Sequence, residues 1–401
     1  MFDQLYTCPA ILARHRSGPL LEERLAYLTH LVNQEHARST VREAASDLLL
    51  IVKMLELANR PRKAMTRDEV RRKVAKPRRL HELAVRWLKF MGRLKQRPVP
   101  ISPYAKKIKA FADYMEHEAE LSPATIFNRC WYATRFLDRL HIKGNSLHDI
   151  TPQRIDMAFQ KLLEPGGYSR ATVQTCAGSV RAFFRFAERQ GWCRKGLAAS
   201  ILTPRVYSQT LLPLGPSWDD VRRLLAMTEG DKRSNIRARP ILMLLAIYGL
   251  RRGEVSRLRL EDFDWEHEVF RVVSSKTRRV RTYPLTRSVG DAILRYLQEV
   301  RPRSSHREVF LTLYAPFRPV SSIGLWCIVG ARLRSLHLSL PHYGPHALRH
   351  ACATRLLAAG LSLKEIGDQL GHTQLESTQV YAKVDLAGLR EVADFDMGGV
   401  L

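Results

Sequence analysis

The stretch PHALRHACATRLL occupies residues 345–357, and LGHTQLESTQVYAKVD follows at residues 370–385. The 36 residues from His346 to Tyr381 therefore carry imidazole, guanidinium and phenol groups close together in the chain. Imidazole and guanidinium donors can hold a phosphodiester while a positioned tyrosine attacks its phosphorus. The spacing predicts a site of phosphoryl-transfer chemistry.

Helix signals bring these groups to one place. His346 and Arg349 are three residues apart at the start of a predicted helix, so their side chains project from one face. Residues 362–365 form a capping box, and the helix they open is predicted to end at Gly371. His372 then lies at a helix end, and Tyr381, nine residues later, can reach back to the same cleft.

Two further candidates lie upstream. Arg251 stands in YGLRRGE, residues 248–254, after an apolar helix. Residues 270–273 and 280–283 are predicted to form a β-hairpin, and Lys276 lies in its loop. Arginines crowd the same hairpin, so the choice of Lys276 depends on its position in the motif.

These motifs resemble those of the tyrosine recombinase (phage integrase) family. The matching patterns are H-x-L-R-H-x-x-A-T-x-L-L-x-x-G from His346, L-G-H followed by tyrosine, G-L-R-x-x-E from Gly249, and the hairpin lysine before Pro-Leu. The resemblance is close over residues 213–385 and looser over residues 103–205.

The resemblance implies an enzyme that breaks and rejoins DNA through a 3′-phosphotyrosyl intermediate, with no metal, ATP or other cofactor. Glu254 would support the first arginine, and His350 would be structural. Six side chains would carry the chemistry: Tyr381 as nucleophile, Arg251 and Arg349 as the clamp on the phosphate oxygens, Lys276 as the acid for the leaving 5′-oxygen, His346 as the acceptor of the tyrosine proton, and His372 as a further donor to the phosphate.

The composition agrees with a nucleic-acid partner. The net charge is +26, although the hydrophobic fraction of 45% is ordinary for a globular protein. Such a charge favours a polyanion, because each cation set against a phosphate releases a counterion, but it does not separate DNA from RNA.

Cysteine spacing and hydropathy restrict the remaining possibilities. The six cysteines are scattered, which disfavours a disulfide framework or a zinc finger and fits a reducing compartment. The most apolar run, residues 241–248, is too short to span a membrane, and no signal peptide is evident. We expect a cytoplasmic protein.

Proline-rich joints at residues 97–103 and 203–216 divide the chain. The predicted fold is mainly α with a small antiparallel sheet or hairpin in the catalytic domain, arranged as a multi-domain DNA clamp. Four regions are expected: an N-terminal helical accessory module (1–97), a helical core-binding, SAM-like domain (103–205), a catalytic domain (213–385) and a C-terminal tail (386–401).

The accessory module has an uneven charge. Residues 60–97 contain fifteen Lys/Arg against three Asp/Glu, a net of +12, whereas residues 1–59 contain six against seven. The basic half is expected to contact nucleic acid, with a merely solvated face as the alternative. In the other half, Thr40 to Glu43 read as a capping box opening a helix through Leu55.

Two helices are well marked in residues 103–205. Ser122-Pro123 opens the first, and the second runs from Ser169 to Gly191 with its apolar stripe inward. On another face of the second helix, three arginines recur every four residues and could follow a DNA backbone, although a solvated face would look similar. They are Arg181, Arg185 and Arg189.

The family also implies partners. Specific double-stranded DNA sites would be bound by a homo-oligomer, a tetramer in the synaptic complex, with the acidic tail docked on a neighbouring subunit or folded back in cis. The length of the N-terminal module favours integration, excision or transposition of a mobile element. Two alternatives remain at this point: a type IB topoisomerase with the same chemistry, and a catalytically silent DNA-binding protein.

Overall fold

The computed structural model describes residues 1–59, 64–95, 102–140, 146–164, 167–203, 215–274 and 279–371. Three of the predicted catalytic residues, Lys276, His372 and Tyr381, lie outside the described residues, as does the tail.

The described residues are mainly helical, with one three-stranded antiparallel sheet in the order β1-β2-β3, which confirms the predicted fold class. The strands are β1 (Phe263–Asp264), β2 (Val269–Val273) and β3 (Val280–Pro284). The helices are α1 (Phe2–Leu5), α2 (Pro9–Ser17), α3 (Leu21–Asn33), α4 (Arg38–Leu55), α5 (Arg67–Lys73), α6 (Arg78–Phe90), α7 (Ala105–His117), α8 (Pro123–Arg139), α9 (Pro152–Leu163), α10 (Arg170–Arg189), α11 (Leu197–Ser200), α12 (Trp218–Ala226), α13 (Arg233–Ile247), α14 (Arg252–Arg257), α15 (Arg287–Glu299), α16 (Ser322–Ser335), α17 (Pro345–Ala358) and α18 (Leu363–Leu370).

The chain divides into two compact units, Arg97–Thr210 and the remaining residues. The first unit has its own core, in which α7, α8, α9 and α10 pack their apolar faces together. Ser122 and Ser169 cap α8 and α10 as predicted, and Gly191 follows α10 with a positive φ of 67°. The division of the whole chain into four regions stays a prediction.

The first 95 residues form a helical cluster around Leu28, Leu48 and Trp87, all fully buried. Here one predicted boundary is wrong: α4 begins at Arg38 after Ala37, so Thr40 lies inside its first turn. The spacing of a capping box also occurs within helices, and nothing in residues 38–40 resists a helical backbone. The predicted end at Leu55 is confirmed.

Residues 215–351 share one large core. Helix α13 is buried through its C-terminal half and packs against α15 and α17, so it fixes the start of α17 relative to the segment that follows α13. The hairpin pairs Phe270 with Tyr283 and Arg271 with Thr282, as a regular antiparallel ladder. The sequence did not reveal β1, which is only two residues long.

Candidate active site

A cavity of about 570 Å³ brings together three of the predicted catalytic residues, Arg251, His346 and Arg349. They come from two segments about a hundred residues apart in the sequence, the turn between α13 and α14 and the first turns of α17. The full lining is Leu250, Arg251, Arg252, Gly253, Glu254, Trp326, His342, Gly344, Pro345, His346 and Arg349.

Arg251 is fixed by the carboxylate of Glu254. Its backbone N–H donates to Glu254 Oε2 at 2.8 Å, and its Nη1 donates to Oε1 at 3.2 Å. The side chain of Glu254 is only 1% exposed, whereas that of Arg251 is 40% exposed. The buried carboxylate of Glu254 therefore fixes the guanidinium of Arg251, which lines the cavity.

Arg349 is buried, and its side chain is held by backbone carbonyls. Nη2 donates to Leu370 O at 2.8 Å, and Nη1 donates to Gly249 O. Gly249 has a φ of +61°, and a Cβ at this position would lie 2.3 Å from the side chain of Leu370. The glycine in GLR thus permits both the left-handed turn and the close approach of α18.

The C-terminal end of α18 is surrounded by donors. Gln369 O accepts from Tyr283 Oη at 2.7 Å and from Arg281 Nη1 at 3.1 Å, while Gly371 O accepts from Arg251 Nη2 at 2.8 Å. Together with Arg349 on Leu370 O, three guanidiniums and a phenol satisfy carbonyls that a helix end leaves unpaired. Cations at this end also interact favourably with the helix dipole.

Arg281 links this helix end to the support of Arg251. Its Nη2 lies 2.8 Å from Glu254 Oε1, so one carboxylate bridges two arginines. In the sequence, Arg281 stood out only as one of the arginines that crowd the hairpin of Lys276. Arg281 and Tyr283 are two residues apart on β3, so both lie on its inward face. This alternation is the signal in the sequence that could have identified Arg281.

His346 and His350 lie one turn apart on α17 and meet edge to face, with ring centroids 4.4 Å apart. Desolvation, and then the charge of Arg349, lower the pKa of His346 below its ordinary value. Desolvation, and then the neighbouring His346, lower the pKa of His350 to about 4. Both imidazoles are therefore neutral at pH 7, and a neutral imidazole can accept a proton.

The cavity also contains residues that were not predicted. Trp326, from α16, lies against Gly344, where a Cβ would be 2.7 Å from the indole nitrogen. His342 lines the cavity four residues before His346, a spacing that the sequence displays. No sequence pattern marked Trp326, because its position depends on how α16 packs.

The arginines predicted to bind DNA from α10 have different surroundings. Arg181 donates to Ile201 O at 2.6 Å and to Thr203, and Arg189 donates to Tyr114 Oη at 2.9 Å. Arg185 is exposed. Within the part of the chain that the structure describes, no helix is both long and apolar enough to cross a membrane.

Comparison with known proteins agrees with this geometry. Residues 217–387 match the phage integrase family, and residues 108–191 match the phage integrase N-terminal SAM-like domain. The chain is 34% identical over 73% of its length to "Putative integrase/recombinase y4rA" of Sinorhizobium fredii, covering 71% of that protein. It is 30% identical over 72% of its length to the tyrosine recombinase XerC of Alcanivorax borkumensis, covering 92% of that protein.

Solved structures show the same fold. The Tn1549 transposon integrase in complex with transposon right end DNA gives a TM-score of 0.55 at 20% identity, over 72% of this chain and 99% of that one. The XerH recombinase bound to palindromic difH substrate gives 0.54 at 18% identity, over 72% and 84%. On these matches and on the cavity that holds Arg251, His346 and Arg349, the chain belongs to the phage integrase family and is a tyrosine recombinase.

Proposed function

We propose that this tyrosine recombinase cleaves and rejoins DNA at specific sites through a 3′-phosphotyrosyl intermediate on Tyr381, without metal or ATP. The observation that carries the proposal is the placement of two arginines and a neutral histidine around one cavity. That set of groups suits a phosphodiester whose charge increases in the transition state.

Arg251 and Arg349 form the phosphate clamp. A guanidinium remains charged at any relevant pH and presents parallel donors to the non-bridging oxygens. Because charge builds on those oxygens as the phosphorus becomes pentacoordinate, the two arginines bind the transition state more tightly than the ground state. Lys276 and His372 are proposed to supply further donors.

In the proposed step, one P–O bond forms as another breaks, and each proton has a donor and an acceptor. The Oη of Tyr381 forms the new P–O bond and gives its proton to His346, whose lowered pKa leaves it neutral at pH 7. The bond from phosphorus to the 5′-oxygen breaks, and that oxygen takes a proton from Lys276. Attack by a 5′-hydroxyl of a partner strand reverses the step. The phosphotyrosyl bond therefore conserves the energy of the phosphodiester bond that was broken.

The substrate is proposed to be duplex DNA at the recombination site of a mobile element, and the working assembly a homo-tetramer in the cytoplasm. The fold that this chain shares with a transposon integrase supports the proposal of a mobile-element site. Arg185 and Arg189 are both exposed, but Arg189 donates to Tyr114 Oη, so Arg185 is the best placed of the three arginines on α10 for a DNA phosphate.

Trapping covalent protein–DNA adducts in expressing cells, and sequencing the attached DNA, tests the proposal. Wild type and Tyr381→Phe would be compared with Tyr314→Phe, which changes a phenol that is 79% exposed in the same region. We expect adducts at one repeated motif for wild type and Tyr314→Phe, and none for Tyr381→Phe. Adducts without sequence preference would favour a topoisomerase, and adducts that persist in Tyr381→Phe would overturn the proposal.

A further inference from the structure

We propose that helices α5 and α6, here called the basic helix pair (Arg67–Lys73 and Arg78–Phe90), form a second DNA-binding surface that contacts the phosphate backbone of a duplex. This surface lies outside both family matches, which cover residues 108–191 and 217–387. The inference does not depend on the tyrosine chemistry, because it concerns binding alone.

The basic helix pair directs its charge toward solvent. Helix α6 buries Leu80, Leu83, Ala84, Trp87 and Leu88, so its opposite face is exposed. Between residues 67 and 89, eight Lys or Arg side chains are exposed against two carboxylates, Asp68 and Glu82. The third carboxylate, Glu69, accepts the backbone N–H of Thr66 at 2.8 Å in the capping box of α5.

Few of these cations are neutralised within the chain. Arg79 contacts Glu43 and Asp47 at 2.8 and 2.9 Å, and Arg78 contacts Glu82 at 2.7 Å. Among the described residues, Arg67, Arg71, Arg72, Arg86 and Lys89 contact no carboxylate within ion-pair distance. An unneutralised cluster of this size attracts anions.

An open cavity of about 550 Å³ lies within this surface, lined by Arg67, Arg78, His81, Glu82, Val85 and Arg86. The Nδ1 atom of His81 is buried and has no hydrogen-bond partner among the described residues. Buried polar atoms are normally satisfied, and this nitrogen has no such partner although its residue lines the cavity. Arg78 is paired with Glu82 in this lining, and the remaining guanidiniums of Arg67 and Arg86, together with the imidazole, suit a phosphate group.

Duplex DNA fits this surface better than a protein partner does. Eleven residues separate Arg78 from Lys89 on α6, a span of about 16 Å at 1.5 Å per residue, so cations are spread along a line rather than collected at one point. A row of cations can follow successive phosphates, and α5 and α6 are joined by only four residues, as in helix pairs that dock on DNA. The exposed basic side chains are mostly arginine, which forms bidentate contacts with phosphate.

The test uses the full-length protein and two matched triple variants. Arg67→Gln, Arg78→Gln and Arg86→Gln together remove the cations of the cavity, while Arg14→Gln, Arg38→Gln and Arg42→Gln remove three exposed arginines from the neutral half of the same region. Both variants lower the net charge by three. Affinity for a 30-base-pair duplex of arbitrary sequence would be measured by fluorescence anisotropy over a range of salt concentrations.

We expect the cavity variant to reduce the slope of log K against log salt by about 2.7, or 0.9 for each phosphate that is no longer neutralised, and the control to leave it near wild type. Equal slopes for the two variants, changed or unchanged, would overturn the proposal. So would a cavity variant that binds DNA normally but loses self-association in gel filtration, because the surface would then be a protein interface.

Photocrosslinking separates this surface from the catalytic clamp in the same full-length chain. Arg71→benzoylphenylalanine is expected to crosslink to the duplex, and Arg42→benzoylphenylalanine is not. Crosslinking at neither position, with DNA binding intact, would overturn the proposal. Crosslinking at position 71 together with an absence of Tyr381 adducts in the wild type would count against the proposed function and leave this surface standing.

Discussion

At the scale of single residues, the site is organised by a buried carboxylate that holds two arginines. Glu254 is buried and contacts both Arg251 and Arg281, at 3.2 and 2.8 Å. A single negative charge therefore offsets two guanidiniums and fixes their separation. Removing a charge from such a buried group leaves its partners uncompensated, which costs more than the interaction contributes on balance.

Glu254→Gln keeps the size of the side chain but removes its charge. We expect the free energy of unfolding to fall by about 2–3 kcal/mol, because two cations then face a neutral amide. Urea denaturation measures the change. The control is Glu261→Gln, whose half-exposed carboxylate pairs with Arg259 and Arg307, and it should remain close to wild type. Equal effects would show that Glu254 is not a buried bridge.

The lowered pKa of His350 predicts that the free energy of unfolding depends on pH. Its pKa is about 4 in the folded protein, against an ordinary value of 6.5, so the unfolded chain binds the proton first as the pH falls. The contribution of this residue is therefore full above pH 6.5 and is lost progressively down to about pH 4. Unfolding free energies at pH 7 and pH 5 should differ less in His350→Gln than in wild type. An equal difference would mean that His350 is not desolvated.

At the scale of elements, the end of α18 is where two predicted catalytic arginines meet a third arginine that supports them. Arginines 251, 281 and 349 each donate to one of its last carbonyls, and the helix ends at Gly371 in the left-handed conformation, with φ +65°. The next residue in the sequence is His372. The geometry of this helix end thus depends in part on Arg251 and Arg349, which also line the cavity.

Gly371→Ala should be more costly than an ordinary substitution at a left-handed glycine. A Cβ there would lie 2.6 Å from the guanidinium carbon of Arg281, which Glu254 and Gln369 hold in place. The matched control is Gly360→Ala, with φ +87° and nothing within 4 Å of the Cβ.

We expect thermal denaturation to show a loss of about 1 kcal/mol for Gly360→Ala, from backbone strain alone, and about 2 kcal/mol for Gly371→Ala. Adduct formation should fall only in Gly371→Ala. Identical losses in stability would mean that Arg281 moves aside without cost.

At the scale of the whole molecule, the two compact units have separate cores. Units that bury their apolar residues independently can open independently. The residues of α10 that were predicted to point inward, among them Val173, Val180 and Phe184, are all buried in the core of Arg97–Thr210. A cavity created by mutation in this core should therefore destabilise the unit Arg97–Thr210 and leave the other unit unchanged.

Phe184→Ala is expected to destabilise the unit Arg97–Thr210 by about 3–5 kcal/mol, because Phe184 is fully buried. Hydrogen exchange should accelerate in α8 and α10 and stay unchanged in α13. Phe127→Ala, at a position of α8 that is 68% exposed, serves as the control. Acceleration in α13 as well would show that the two units unfold together.

Local signals in the chain predicted several helix ends. Ser122, Ser169 and Ser362 all cap helices, and Gly371 ends one, because a side-chain oxygen or a left-handed backbone acts over only three or four residues. The exception was Thr40, where the same spacing falls within a helix. The order and spacing of Arg251, His346 and Arg349 likewise identified three residues that line one cavity.

The sequence by itself thus determined the mainly helical fold, the family and three residues that line one cavity, because periodicity, caps and motif spacing are properties of short segments. Only the tertiary structure decided that Arg281 and Tyr283 support the end of α18, that Trp326 lines the active-site cavity, and that Arg67 of α5 and two arginines of α6 line another cavity with His81. Those interactions join residues far apart in the chain, and their energies depend on burial and distance, which exist only once the elements have packed.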